Sequence, residues 1–97
     1  MPKAYWITTY HSISNIDKVN AYAKLAGPAV EACGGQYLAR GVPQAVYETG
    51  LAERTVLSVF PSLEEAIKAH DSPGYGKALE ALSNGAIREI RIIEGVE

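Results

Sequence analysis

The sequence holds very little cysteine and no long apolar run. Cys33 is the only cysteine among the 97 residues, so no internal disulfide can form, and its place on an apolar helical stripe indicates a packed thiol more than a nucleophile. No apolar stretch approaches the ~20 residues of a membrane-spanning helix, and no basic-then-apolar signal segment opens the chain. We therefore expect a soluble, cytoplasmic protein without a membrane partner.

An excess of charge of one sign is also missing. Nine basic and eleven acidic residues leave a net charge of −2, and the basic residues are scattered along the chain. A nucleic-acid-binding surface gathers its basic residues on one face, so we expect no nucleic-acid partner. The length fits a single domain spanning residues 1–97.

The motifs of the common catalytic and metal-binding classes are missing too. Gly34-Gly35 follows a helical pattern instead of opening one, unlike a phosphate-binding loop. No serine or cysteine has a recognisable activation motif. The chain has only two histidines, without the helical spacing or the cysteine cluster of a metal site. We therefore expect neither a metal nor another cofactor.

The sequence does contain four strand patterns. They are the runs rich in β-branched and aromatic residues, at Ala4–Tyr10, Gln36–Gly41, Arg54–Phe60 and Arg88–Ile93. Proline cannot donate to a β-ladder, so Pro43 interrupts the second strand. We expect that strand to resume as a bent edge strand over Ala45–Glu48, followed by a hairpin loop over Thr49–Glu53.

Two helical segments lie between these strands. The first follows the cap candidates Ser14 and Asn15 and ends at Gly34-Gly35. The second is capped by Ser62. It breaks and restarts at Ser72-Pro73, because serine is a good cap and proline suits the first helical position.

This order predicts an α+β fold, a ferredoxin-like βαββαβ arrangement with a four-stranded antiparallel sheet and the helices on one face. The first strand carries no charge on either side, with Tyr5 and Ile7 on one and Trp6 and Tyr10 on the other. A monomer rarely leaves a large apolar face in water. We therefore predict a homodimer that packs sheet against sheet.

A set of short motifs is spread over the chain, at Tyr5-Trp6, Tyr22–Ala29, Gly34-Gly35, Leu38–Gly41, Phe60–Ser62, Ala66 and Ser72–Tyr75. In this order and spacing they resemble the small bacterial proteins grouped as domain of unknown function 1330 (DUF1330), over nearly the whole chain. The resemblance implies a dimeric α+β barrel. That superfamily includes cofactor-free monooxygenases, lactone isomerases and haem-handling enzymes, whereas this family has no settled activity. Ala69 and His70 stand where the family often has a bulky aromatic pair.

Both histidines are candidates for proton transfer, because imidazole titrates near neutral pH. His70 ends the first half of the broken helix, and His11 directly follows the first strand. Each also has a purely structural interpretation. The helix dipole favours a histidine at the position of His70, and His11 fits a solvated loop.

Arg40 and Arg54 flank the predicted hairpin, and Glu48 lies between them in sequence. In one interpretation an arginine holds the carboxylate of a ligand. In the other, an arginine pairs with Glu48 and braces the bent edge strand. A related choice concerns the aromatic residues, which either line a cleft for a flat ligand or pack the core: Trp6, Tyr10, Tyr22, Tyr37 and Tyr75.

Two functions fit these observations. The favoured one is a small dimeric protein that binds a small molecule, or serves as an assembly module, without catalysis. The alternative is a cofactor-independent, monooxygenase- or isomerase-like enzyme acting on a small aromatic or carboxylated compound between helices and sheet. In that enzyme His70 or His11 would move a proton, and Arg40 or Arg54 would hold the anion. The enzyme requires a histidine, an arginine and Tyr75 to converge on one pocket.

Overall fold

The computed structural model describes residues 2–96, in which helices cover one face of a four-stranded antiparallel sheet. The elements in chain order are β1 (Ala4–Ile13), α1 (Ile16–Ala32), β2 (Gln36–Gly41), β3 (Thr55–Phe60), α2 (Leu63–Asp71), α3 (Pro73–Leu82) and β4 (Ala86–Glu94). The strands lie in the order β2-β3-β1-β4. This is the ferredoxin-like α+β fold that the sequence predicts.

β1 lies inside the sheet, and its alternating side chains separate the two faces. Ala4, Trp6, Thr8 and Tyr10 are buried beneath the helices. The helices present mainly small side chains to this face, such as Ala26, Ala66, Ala69 and Ala78. Small side chains let the helices approach the sheet closely, and the rings of Trp6 and Phe60 on the sheet pack with that of Tyr75 from α3.

Hydroxyl and amide caps begin the helices where the sequence indicates. Of the two cap candidates for α1, Asn15 is the N-cap, since its Oδ1 accepts from the backbone N–H of Lys18 at 3.2 Å. Ser14 instead donates its hydroxyl to the carbonyl oxygen of Asn84 at 3.1 Å. α1 ends before Gly34, which has a φ of +89°, a conformation that glycine adopts without steric cost.

The break between α2 and α3 depends on the hydroxyl of Ser72. It donates to the carbonyl oxygen of Ala69 at 2.8 Å and accepts from the backbone N–H of Tyr75 at 3.2 Å. One side chain thus satisfies groups at the end of one helix and at the start of the next. The restart directs Tyr75 into the core, where it is fully buried.

The predicted edge strand over Ala45–Glu48 is wrong. Residues 42–54 join β2 to β3 without forming a strand. Pro43 has no N–H to donate. Glu48 has a φ of +55°, in a turn where the N–H of Gly50 donates to the carbonyl oxygen of Tyr47 at 2.9 Å. A positive φ is incompatible with an extended strand.

β1 and β4 are longer than the sequence indicates. Their pairing continues past Tyr10 through a bulge, with Ser12 opposite Ile87 and Ile13 opposite Ala86. Polar residues near these ends interrupt the apolar strand pattern, so the sequence did not indicate a strand there. In the fold, pairing with the neighbouring strand holds these residues in the sheet.

Within residues 2–96, no helix covers the other face of the sheet, which we call the open face. Its centre is apolar, with Tyr5 and Ile7 on β1 and Leu57 and Val59 on β3. Ile93 on the outer strand is 59% exposed. The chain is only 16 Å thick along its shortest axis, so the described residues form one layer of helices on one sheet. None of the described helices is long and apolar enough to cross a membrane.

Candidate functional site

A cleft opens between α1 and the helix-facing side of the sheet. Its cavity volume is about 30 Å³, measured as the space open to the centre of a water-sized sphere. The lining combines aromatic rings, guanidinium groups and a few small side chains, from Trp6, Thr8, Tyr10, Tyr22, Ala23, Ala26, Val30, Tyr37, Arg40, Arg54, Val56, Ser58 and Arg88. We call this pocket the arginine cleft.

The pairing of the strands brings three arginines to the cleft. Arg88 on β4 lies opposite Tyr10 on β1. The backbone N–H of Tyr10 donates to the carbonyl oxygen of Arg54 at 3.0 Å. Arg40 on β2 lies opposite Val56 on β3. Since paired strands are ~4.8 Å apart, arginines that are distant in sequence share one end of the sheet.

Arg88 is held by phenols instead of a carboxylate. Its Nη2 donates to Tyr75 Oη at 3.2 Å, and its Nη1 donates to Tyr10 Oη at 3.4 Å. Its Cζ lies 4.3 Å from the centre of the Tyr22 ring, a cation–π distance. Tyr22 Oη and Tyr75 Oη share a hydrogen bond of 2.7 Å. A connected chain of hydrogen bonds therefore leads from the cleft to a buried phenol.

The pKa values of this cluster keep its protons in place. Burial raises the pKa of Tyr75, and the neighbouring Tyr22 raises it further. Burial lowers the pKa of Arg88, but its contacts with the phenols of Tyr22, Tyr75 and Tyr10 outweigh that effect and raise the pKa above its ordinary value. At neutral pH Arg88 is therefore a cation and Tyr75 a neutral phenol.

The positive charge of the cleft has no internal counterpart in the part of the chain that the structure describes. Of the four arginines in the sequence, Arg91 pairs with Glu89 at 3.2 Å. Arg40, Arg54 and Arg88 form no salt bridge within residues 2–96. Arg54 Nε is buried without a hydrogen-bond partner, which costs about 1–3 kcal/mol unless an acceptor arrives from outside the chain.

Glu48 takes no part in this site. It is exposed in the connection between β2 and β3, and it forms no salt bridge in the described part of the chain. The interpretation in which an arginine pairs with Glu48 to brace an edge strand is therefore wrong. Arg40 instead lies over the ring of Tyr37, with Cζ 4.9 Å from the ring centre.

Neither histidine lines the arginine cleft. His70 packs against the core, with its ring centre 5.7 Å from that of Trp6 and 5.3 Å from that of Tyr75. Its Nδ1 lies 3.1 Å from Asp71 Oδ1. His11 Nε2 lies 3.6 Å from Glu89 Oε2, towards the open face. Tyr75 lies behind the cleft and reaches it through Tyr22 and Arg88.

Arg88 is the main site residue that sequence reasoning missed. The signal was the period of two along a strand. Ile90 and Ile92 pack against the core, so the residue two positions before Ile90 must point the same way. A charged residue on the core-facing side of a strand is unusual and marks a candidate site.

No group of three or more His, Cys, Asp or Glu side chains within residues 2–96 is placed to hold a metal ion. Arginine, tyrosine and hydroxyl side chains dominate the cleft. These groups suit hydrogen bonding to a ligand better than metal coordination.

The fold and the cleft together define a small ferredoxin-like α+β protein with a pocket between its helices and its sheet. The chain belongs to the family described as domain of unknown function (DUF1330), whose model matches residues 3–96. No curated protein matches the chain.

Solved structures share this fold at low sequence identity. A protein of unknown function from Rhodopseudomonas palustris is 12% identical, with a TM-score of 0.77 over 99% of this chain and 84% of that one. A dimeric ferredoxin-like protein of unknown function from Thermobifida fusca is 15% identical, with a TM-score of 0.66 over 97% and 92%. SnoaB, a cofactor-independent oxygenase from Streptomyces nogalater, is 13% identical, with a TM-score of 0.64 over 100% and 96%.

Proposed function

We propose that this protein is a homodimer that binds a small, flat, partly apolar molecule in the arginine cleft without transforming it. The observation that carries the proposal is the lining of the cleft, where the rings of Trp6, Tyr10, Tyr22 and Tyr37 surround convergent polar groups. Mostly apolar walls with a few placed polar groups are typical of ligand sites. The apolar open face and a dimeric structural neighbour support the homodimer.

Trp6 provides a direct measurement of binding, because it is the only tryptophan in the chain and lines the cleft. We expect benzoate and phenylacetate to change its fluorescence in a saturable way. Ala23→Leu, which adds bulk to the α1 wall of the cleft, should abolish the saturable change.

Ala21→Leu is the matched control, since Ala21 is on the same helix but is exposed outside the cleft. It should bind as the unaltered protein does. If no aromatic probe, charged or neutral, gives a saturable change, the cleft is not a ligand site and the proposal is wrong.

A cofactor-independent enzyme is the second candidate. The chain of hydrogen bonds from Tyr22 through Tyr75 to Arg88 favours it, because donors fixed in this way can stabilise an oxygen anion of a substrate. Since neither histidine lines the cleft, Tyr22 would take the role of proton carrier. The same titrations should be followed for oxygen uptake and for isomerised product. If either is detected and is lost in Tyr22→Phe, the protein is an enzyme and the binding proposal is wrong.

A further inference from the structure

We infer that the arginine cleft selects ligands that carry a carboxylate, and that Arg54 and Arg88 are its specificity-determining residues. This inference rests on the proposed binding function and adds the chemical class of the ligand. It follows from the distribution of charge across the two faces of the sheet.

Within residues 2–96, the residues that line the cleft include three of the four arginines and no acidic residue. The remaining arginine, Arg91, is neutralised by Glu89 on the opposite face. Burial raises the pKa of the Tyr37 phenol, and Glu31 is near enough to raise it further, although Glu31 does not line the cleft.

Arg40 is exposed, whereas Arg54 and Arg88 are half-buried. Against the effect of burial, the phenols raise the pKa of Arg88 and stabilise its charge, so among the described residues the partial burial of Arg54 without a counter-ion is the unfavourable one. An anionic ligand removes that penalty, and a neutral ligand does not.

The two proposed specificity residues differ in how they are held. Each terminal nitrogen of Arg88 donates one hydrogen bond to a phenol, to Tyr10 at 3.4 Å and to Tyr75 at 3.2 Å. These bonds hold its guanidinium in one orientation and leave three of its five N–H donors. Arg54 has a buried Nε without a partner, so it has donor capacity left for a planar acceptor.

A carboxylate fits this arrangement better than a phosphate. The guanidinium fork matches both groups, but phosphate sites usually add backbone N–H groups from a helix start or a glycine-rich loop. The lining of this cleft is instead aromatic beside its arginines. An aromatic or unsaturated acid would cover the rings with its apolar body and place its carboxylate at the guanidinium groups.

The test compares matched ligands on the full chain by isothermal titration calorimetry. Benzoate and benzamide have nearly the same shape and differ in charge, as do phenylacetate and phenylacetamide. Since a hydrogen bond to a charged group contributes more than a neutral one, we expect each acid to bind about 10- to 100-fold more tightly than its amide. Inorganic phosphate should bind more weakly than either acid.

Variants of Arg54 and Arg91 distinguish a specific role of Arg54 from the general effect of removing one positive charge. Arg54→Gln should weaken binding of the acids about 10-fold or more and leave binding of the amides unchanged. Arg54→Lys should recover part of the loss, because lysine keeps the charge but not the fork. Arg91→Gln, on the opposite face, is the matched control and should bind the acids as tightly as the unaltered chain.

The outcomes that overturn the inference are distinct from failure of the proposed function. Amides that bind as tightly as their acids, or acid binding that survives Arg54→Gln, would show a ligand site that is indifferent to charge. Phosphate that binds more tightly than the acids would assign the site to another anion class. Binding of none of the aromatic probes would remove the proposed function together with the inference. If Arg54→Gln does not fold, Arg54→Lys and the acid–amide comparison on the unaltered chain still decide it.

Discussion

Tyr75 connects the packing of the core to the candidate site. Its ring packs edge-on against Trp6, with centres 5.0 Å apart, and its hydroxyl bonds to both Tyr22 and Arg88. The sequence leaves open whether Tyr75 packs the core or lines a cleft. It could not predict the partners of the hydroxyl, because Tyr22 and Arg88 lie on other elements. The same residue is therefore a core side chain and a support for the cleft.

Tyr75 should make the protein sensitive to alkali. Its pKa in the folded state is raised by burial and by Tyr22, while in the unfolded chain it returns to ~10. Above that pH the unfolded chain releases a proton that the folded chain keeps. Its contribution to stability is complete below pH ~10 and then falls by about 1.4 kcal/mol per pH unit.

Tyr75→Phe should remove this contribution to the alkaline slope. It should also lower the free energy of unfolding at neutral pH, because Tyr22 and Arg88 lose a partner. Urea unfolding at several pH values between neutrality and pH ~11 measures both effects. Tyr47→Phe is the control, since Tyr47 is 80% exposed. A slope unchanged by Tyr75→Phe, or reduced equally by Tyr47→Phe, would contradict this account.

At the scale of the elements, the turn from α1 into β2 depends on close packing at Gly35. A Cβ atom at this position would lie 2.5 Å from Val30 Cγ1 and 2.6 Å from Phe60 Cε2. Both neighbours are buried core residues. The sequence indicates a helix stop at the glycine pair, but the core contact that requires glycine at the second position appears only in the folded chain.

Gly35→Ala should therefore destabilise the fold by about 1–3 kcal/mol through overpacking. Gly76→Ala should do the opposite. Gly76 lies in α3 with no atom within 4 Å of its would-be Cβ, and alanine in a helix is favoured over glycine by about 0.5–1 kcal/mol. The midpoints of urea unfolding should shift in opposite directions. If both midpoints shift in the same direction, the contacts at Gly35 do not determine the effect of replacing it on stability.

At the scale of the whole molecule, the open face is the main unexplained surface. Its centre on β1 and β3 is apolar, and the charged residues Glu89 and Arg91 lie on the outer strand β4. Burying such a centre contributes roughly 25 cal/mol per Å² of apolar area. A stable interface needs ~800 Å² per partner, and the chain measures 37 by 33 Å along its two longer axes. Sheet-to-sheet pairing of two copies is therefore the arrangement we propose.

Leu57→Glu should convert the proposed dimer to a monomer, because it places a charge in the middle of the open face opposite Ile7. Leu25→Glu is the control. Leu25 is 44% exposed on α1, in the helical layer on the other side of the sheet, so this variant should remain dimeric. Size-exclusion chromatography with light scattering at micromolar concentration gives the mass of each. A monomeric unaltered chain, or a dimeric Leu57→Glu variant, would refute sheet-to-sheet pairing.

The sequence by itself determined the order of the elements and most of their ends. The capping hydroxyls of Ser62 and Ser72 act within three residues along the chain, as does the left-handed turn at Gly34. Such short-range signals can be recognised from the sequence alone, because both partners lie within a few residues of each other. The false edge strand over Ala45–Glu48 shows the limit, because a strand also needs a partner that local sequence cannot specify.

Only the tertiary structure decided where the site lies. β1 pairs with both β3 and β4, and this pairing places Arg54 and Arg88 on either side of Tyr10 at one end of the sheet. The sequence named Arg40, Arg54, Tyr10 and Trp6 as candidates, but it could not show that the histidines lie elsewhere. Proximity between residues far apart in the chain depends on strand register and helix packing, which arise from the whole fold at once.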